Sequence, residues 1–84
     1  MEHAQTADRL PPGASGRILE LRLTGPLRRR LLELGLIPGQ CIRRVYTAPA
    51  GSPIAYEVQG MVLALRSRDA ERILVQEEDA PWTP

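Results

Sequence analysis

The feature of this sequence that most restricts its fold is the close spacing of its turn-forming residues. Runs rich in glycine and proline interrupt the chain at residues 10–16, 38–39 and 48–53, and a Gln-Gly pair does so at 59–60. Most of the segments between these breaks are short and carry the apolar and β-branched residues typical of strands. The sequence therefore predicts a fold built from short strands joined by compact connections.

The chain has 84 residues, which allow one small domain because so short a chain buries too little apolar surface for two cores. We assign this domain to residues 10–76, after a flexible polar leader over 1–9 and before a flexible acidic, proline-containing tail over 77–84. No stretch approaches the roughly 20 apolar residues that span a bilayer, and the leader lacks an apolar signal-peptide core. We therefore expect a cytoplasmic protein that is not embedded in a membrane.

The charge balance and residue types exclude several classes of function. Eleven arginines nearly cancel ten acidic residues, so no strong positive field is available to hold nucleic acid, and we expect no nucleic-acid partner. Lysine is absent, which removes both Schiff-base chemistry and the lysine of a phosphate-binding loop. The only histidine, His3, lies at the chain terminus, where it cannot be held rigidly beside a nucleophile. We predict that the protein is not an enzyme.

Cys41 is the only cysteine in the sequence. A single cysteine excludes an internal disulfide and any paired-thiol redox or zinc motif. An unpaired thiol fits a reducing compartment, and free cysteines most often lie in the core. We expect Cys41 to be a small buried side chain.

The first predicted strand covers residues 17–23, where side chains alternate between two faces. The two sets are Ile18, Glu20 and Arg22 on one face and Leu19, Leu21 and Leu23 on the other. The leucines favour burial of the second set, whereas a barrel core's need for a branched residue favours the face of Ile18. The sequence does not decide which of the two faces is buried.

A helix is predicted to begin at Gly25 and Pro26, because proline suits the first helical position. Its apolar stripe consists of Leu27, Leu31 and Leu34. Leu32 lies about 100° or more from this stripe. Leu32 is therefore either a partly covered edge residue or an exposed contact for a partner.

The predicted helix ends in a glycine cap. Gly35 is expected to adopt a positive φ, and Leu36 supplies the apolar contact that accompanies such a cap. Pro38 and Gly39 then form a turn. Helix, cap and turn together make a compact connection between two strands.

The rest of the chain is predicted to be β-structure. The remaining strands are Gln40–Ala48, Ile54–Val58, Met61–Arg66 and Ile73–Val75. Gln59 and Gly60 separate two of these strands by two residues, which is the spacing of a tight hairpin in which Gly60 accepts a positive φ. Ser67 can cap a short helical turn before the last strand. Five short strands and one early helix predict a mainly β fold, a small closed barrel.

One stretch of the sequence resembles a known family. Residues 27–39 contain an arginine-led helix followed by the pattern L-x-x-L-G-L-x-P-G, and this stretch is similar to the FeoA family. Residues 48–54, 58–60, 63–66 and 70–75 also look like the family at the expected spacing. The resemblance covers about residues 10–75 and implies an SH3-like five-stranded β-barrel.

Two features depart from the family pattern. Arg44 stands where the family more often has an apolar strand residue, and the leader over residues 1–9 is longer than usual. Arg44 can be accommodated in two ways, by pointing outward through a shifted register or by extending its charged end from the barrel rim.

The resemblance also implies a function. It implies an accessory role in ferrous iron transport beside the membrane transporter FeoB, with the transporter's cytoplasmic GTPase region as the expected partner. Leu32 is the first candidate docking residue, and Arg28, Arg43 and Pro49 are the next. The family pattern offers no catalytic residues to carry over.

Two other interaction functions compete with this hypothesis. The first is a metal-sensing module related to the carboxyl-terminal domain of iron-dependent repressors, although 84 residues leave no room for a winged-helix DNA reader. The second is a generic binder of proline-rich peptides. Such grooves are lined by stacked aromatic rings, and Tyr46, Tyr56 and Trp82, with no phenylalanine, supply few of them.

Metal binding is expected to be weak and confined to the amino terminus. His3 stands third from a free terminus, where amine, amide and imidazole nitrogens can form a square-planar site that suits Cu(II) or Ni(II). Glu2 can add a carboxylate. No cofactor is expected to be required, because a tetrahedral zinc site needs more histidine or cysteine than the chain supplies.

Overall fold

The computed structural model describes residues 4–78. Its strands are β1 Ala4–Thr6, β2 Ser15–Leu21, β3 Cys41–Thr47, β4 Ile54–Val58, β5 Met61–Leu65 and β6 Ile73–Glu78. Its α-helices are α1 Gly25–Glu33 and α2 Ser67–Ala70. A single 3₁₀ turn, Ala7–Arg9, follows β1.

The six strands form one antiparallel sheet in the order β1-β6-β2-β3-β4-β5. The predicted mainly β class is confirmed, with a single longer helix between β2 and β3 and a short one between β5 and β6. Two details differ from the prediction. The described chain has six strands and not five, and its end strands β1 and β5 do not pair, so the sheet is open and not a closed barrel.

The extra strand comes from the predicted leader. Ala4 pairs with Gln76 and Thr6 pairs with Leu74, and Ala7 is fully buried. The prediction of a flexible leader over residues 1–9 is therefore wrong for residues 4–9, which are part of the domain. The prediction failed because the pairing strand lies about seventy positions further along the chain, where no local pattern reveals it. The predicted tail also starts too early, since β6 continues through Glu78.

A bulge in β2 settles which of its faces is buried. Ile18 pairs with Val75 and Glu20 pairs with Leu74, which leaves Leu19 as the extra residue. The inward face therefore changes from the even-numbered to the odd-numbered set within one strand. Ile18 is 1% exposed and Leu21 is 7% exposed, whereas Leu19 is 39% exposed.

The end of α1 is a glycine cap, as predicted. Gly35 has a φ of +101°, and its N–H donates to the carbonyl of Leu32 at 3.1 Å. The N–H of Leu36 donates to the carbonyl of Leu31 at 2.9 Å, and Leu36 is fully buried. These two bonds define the Schellman arrangement, and they direct the chain from the helix into the core.

The apolar face of α1 packs on the sheet. Leu31 is 2% exposed, and Leu27 and Leu34 are partly buried against the same core. Leu32 also packs partly against that core. Of the two roles left open for Leu32, the structure therefore shows the partly covered edge residue.

The hairpin between β4 and β5 has the predicted two-residue turn. Gln59 and Gly60 both have positive φ values, 52° and 81°, which define a type I′ turn. Val58 and Met61 pair directly across it. The buried side chains of the strands meet in one core, whose largest members are Tyr56, Leu10, Ile18, Leu31, Leu36, Ile42, Ile54 and Ile73.

Candidate interaction surface

A groove opens where the start of β3 lies beside the tip of the β4–β5 hairpin. Its volume is about 460 Å³. It is lined by Gln40, Cys41, Ile42, Arg43, Glu57, Gln59 and Gly60. The register of the sheet places these residues together, because Arg43 of β3 lies opposite Glu57 of β4.

The walls of the groove are held by two polar pairs. Arg43 donates from Nη2 to Oε1 of Glu57 at 2.7 Å. Gln59 donates from Nε2 to Oε1 of Gln40 at 2.8 Å, which ties the hairpin tip to the start of β3. The arginine and glutamate charges offset each other, so the groove offers directed hydrogen-bonding groups and no strong net field.

The predicted docking residues lie on different elements of the fold. Arg43 lines the groove, but Arg28 lies exposed on α1 and Pro49 lies exposed in the loop between β3 and β4. Leu32 is half-buried. Gln40, Glu57 and Gln59 line the groove but were not predicted as site residues, because only the pairing of β3 with β4 brings them together.

Cys41 lines the groove and is half-buried, not buried as expected. Burial raises the pKa of the Cys41 thiol, and the carboxylate of Glu78 raises it further, while Arg17 opposes both effects. The thiol therefore stays protonated near neutral pH. A protonated thiol is a poor nucleophile, so this surface lacks an activated cysteine.

Arg44 binds the amino-terminal segment. Its Nη1 donates to the backbone carbonyls of Asp8 at 2.9 Å and Leu10 at 2.7 Å. Its Nε and Nη2 donate to Oγ1 of Thr47 at 3.0 and 2.7 Å. The guanidinium therefore holds the residues that follow β1 against β3. The sequence suggested that Arg44 points outward through a shifted register or extends from the barrel rim, and neither arrangement fully describes these contacts.

Tyr56 holds the same segment from the core. Its hydroxyl donates to the backbone carbonyl of Ala7 at 2.9 Å, and the side chain is fully buried. Burial raises the pKa of Tyr56 above its ordinary value of 10.0, although the nearby Arg44 charge opposes the rise. Tyr56 is thus kept as the neutral hydrogen-bond donor that Ala7 requires.

This shift predicts alkaline sensitivity. A folded-state pKa above the unfolded one stabilises the fold fully below about pH 10, and this stabilisation is lost as the pH rises. We expect the free energy of unfolding in urea to fall as the pH rises above about 10, and to fall less steeply in Tyr56→Phe. Both proteins also carry Cys41→Ala, because the raised pKa of the Cys41 thiol would change the stability in the same direction. Equal slopes with and without the tyrosine would contradict the prediction.

Within residues 4–78, no group of three or more histidine, cysteine or acidic side chains is arranged to hold a metal ion. The predicted weak metal site at Glu2 and His3 lies outside the described residues and stays a prediction. In the same part of the chain, no helix is long and apolar enough to cross a membrane.

An antiparallel sheet of short strands with one packed helix makes this a small, mainly β domain, and it is similar in structure to a FeoA described as an SH3 domain protein. More specifically, the chain belongs to the FeoA family, because the family model described as the FeoA domain matches residues 6–77. The predicted family and SH3-like class are confirmed.

Named relatives agree with this assignment. The chain is 33% identical over 67 residues to the "Fe(2+) transport protein A/Fe(2+) transporter FeoB fusion protein" of Porphyromonas gingivalis, covering 80% of this chain but only 8% of that protein. FeoA of Chlorobium tepidum has a similar structure, with a TM-score of 0.82, 32% identity and coverage of 86% of this chain and 69% of that one. FeoA of Stenotrophomonas maltophilia complexed with zinc, described as an SH3 domain protein, has a TM-score of 0.77, 30% identity and coverage of 88% and 95%.

The fold also occurs within a manganese-dependent transcriptional repressor. That likeness has a TM-score of 0.78 at 16% identity and covers 93% of this chain and 44% of the repressor. At this identity the comparison shows a shared fold alone. It does not favour the metal-sensing alternative over an accessory role in transport.

Proposed function

We propose that this protein is a cytoplasmic, non-enzymatic accessory domain of ferrous iron uptake that docks on the GTPase region of a FeoB-type transporter. One observation carries the proposal: the P. gingivalis relative joins a domain similar to this chain to a FeoB transporter in a single protein. Because the chain matches only 8% of that protein, transport belongs to the fused transporter and the proposed role of this domain is association.

The fusion supports association on physical grounds. A covalent link keeps two domains at a high effective concentration, so even a weak contact between them is occupied much of the time. A separate chain must instead reach its partner through its own affinity. A domain that binds without such a link therefore needs a defined docking surface.

The groove beside the hairpin tip is the docking surface that we propose. Arg43 and Glu57 form an ion pair whose side chains are 39% and 37% exposed, so a partner can reach both charges. Gln40 and Gln59 add amide groups to the lining of the same groove. Arginine contributes strongly to interfaces, since one side chain offers both packing area and several donors. Leu32 is a weaker candidate, because substituting a half-buried leucine would also disturb the core.

Binding of the full chain to an immobilised FeoB cytoplasmic GTPase region tests the proposal. Arg43→Gln is expected to weaken the equilibrium affinity at least about tenfold. Arg66→Gln is the matched control, because Arg66 is exposed and pairs with Asp69 away from the groove, and it should leave the affinity within about twofold.

The remaining outcomes are equally informative. An Arg43→Gln protein that binds normally, together with an Arg28→Gln or Pro49→Ala protein that does not, would move the docking site to α1 or to the β3–β4 loop. Absence of binding by the unsubstituted protein at any tested concentration would refute docking on the GTPase region.

A further inference from the structure

Strand β5 has an unpaired edge. Among the strands of residues 4–78 it is the last of the sheet, and β4 is the only one that pairs with it. A two-residue turn closes on a hydrogen-bonded pair, here Val58 and Met61, and hydrogen-bonded and non-bonded pairs then alternate along the ladder. The N–H and C=O groups of Val62 and Ala64 therefore point away from β4, towards the open edge.

These backbone groups are accessible. Val62 is 61% exposed and Ala64 is exposed. Across the described part of the chain, no hydrogen bond reaches the backbone N–H or C=O of Val62 or Ala64 from a turn, loop or side chain. The edge is thus open in the isolated domain.

The edge also lacks the features that usually prevent strand addition. Natural edge strands are commonly protected by charges, proline, a bulge or very short length. β5 has five residues, Met-Val-Leu-Ala-Leu, with neither a charge nor a proline, and its pairing with β4 is regular. At the opposite end of the sheet, β1 has only three residues.

We propose that β5 pairs antiparallel with β5 of a second copy of this chain, about a two-fold axis at Leu63. In this register Val62 of each copy lies opposite Ala64 of the other, so the outward N–H and C=O groups of both residues are satisfied. The paired side chains are all apolar, so no like charges are opposed. The same unpaired positions are thus complementary to themselves, which is the requirement for a two-fold interface.

The size of the contact sets its expected strength. Stable interfaces remove about 800 Å² of surface from each partner. A five-residue edge covers less than that, so we expect a weak dimer that forms as the concentration rises. The formal net charge of +1 adds little repulsion between copies. This inference is independent of docking on a transporter.

Two double variants, each with charged residues in place of both Val62 and Ala64, test the register. In the proposed dimer, Val62→Lys with Ala64→Lys places lysine opposite lysine twice. Val62→Lys with Ala64→Glu places lysine opposite glutamate twice. We expect the dissociation constant measured by analytical ultracentrifugation to be at least about tenfold higher for the lysine–lysine variant than for the lysine–glutamate variant. Far-UV circular dichroism checks that both variants fold.

The unsubstituted protein supplies a second test that needs no variant. The amides of Val62 and Ala64 should exchange with solvent more slowly as the concentration rises towards the order of 1 mM, while the amides of β1 should not change. A protein that stays monomeric at that concentration overturns the proposal. So does a dimer that both double variants form equally well, or one that protects other amides.

Discussion

Replacing Leu31 by alanine is expected to lower the free energy of unfolding by about 2–5 kcal/mol, because a buried leucine loses both its transfer energy and its packing contacts. Leu31 is 2% exposed and belongs to the single core formed by α1 and the sheet. Its carbonyl also accepts the bond from Leu36 that closes the helix. A domain of this size has a total stability of only about 4–13 kcal/mol, so the variant could be largely unfolded at ambient temperature.

Urea unfolding followed by circular dichroism measures this loss. Leu19→Ala is the matched control, because Leu19 is the extra residue of the β2 bulge and is 39% exposed. It should cost less than about 1 kcal/mol. A similarly small cost for Leu31→Ala would mean that α1 does not pack on the sheet as described.

Local chemistry made parts of the fold predictable from sequence. Gly35 and Gly60 stand where the backbone needs a positive φ, which few other residues adopt without strain. Whether these positions need a positive φ depends on only a few neighbouring residues. The helix end and the hairpin could therefore be predicted without knowing the rest of the fold.

Features that depend on distant pairing could not be predicted in the same way. The alternation in β2 changes face at Leu19, and only its pairing with β6 reveals the bulge. β1 is a three-residue strand whose hydrogen bonds come from residues near the other end of the chain. A segment so short has too weak a periodic pattern to be distinguished from a polar leader.

The candidate site was only partly predictable for the same reason. Arg43 was identified as a possible docking residue, but its partner Glu57 depends on the register between β3 and β4. Cys41 was expected in the core, yet it is the first residue of β3 and lines the groove beside the hairpin tip. Residue type suggests which side chains can bind, whereas strand order decides which of them meet.

Arg44 and the amino-terminal leader, the two features singled out from the sequence, meet in the structure. The long leader contributes β1 and the turn after it, and Arg44 donates hydrogen bonds to two carbonyls directly beyond β1. An apolar side chain at position 44 could not satisfy those carbonyls. Arg44 and β1 therefore belong together, and the hydroxyl of Tyr56 holds the same segment at Ala7.

Replacing Arg44 by methionine is therefore expected to lower the free energy of unfolding by about 1.5–3 kcal/mol, since hydrogen bonds to a charged group are lost while much of the apolar stem is kept. Arg43→Met is the control: this neighbour forms a partly exposed ion pair, which should contribute about 1 kcal/mol or less.

Amide exchange should show faster opening of residues 4–6 in Arg44→Met alone, because only that variant releases β1. Combining Arg44→Met with Tyr56→Phe should cost less than the sum of the single losses, since both side chains hold one segment. Unchanged protection of β1 in Arg44→Met, or strictly additive losses, would show that Arg44 does not anchor the amino-terminal strand.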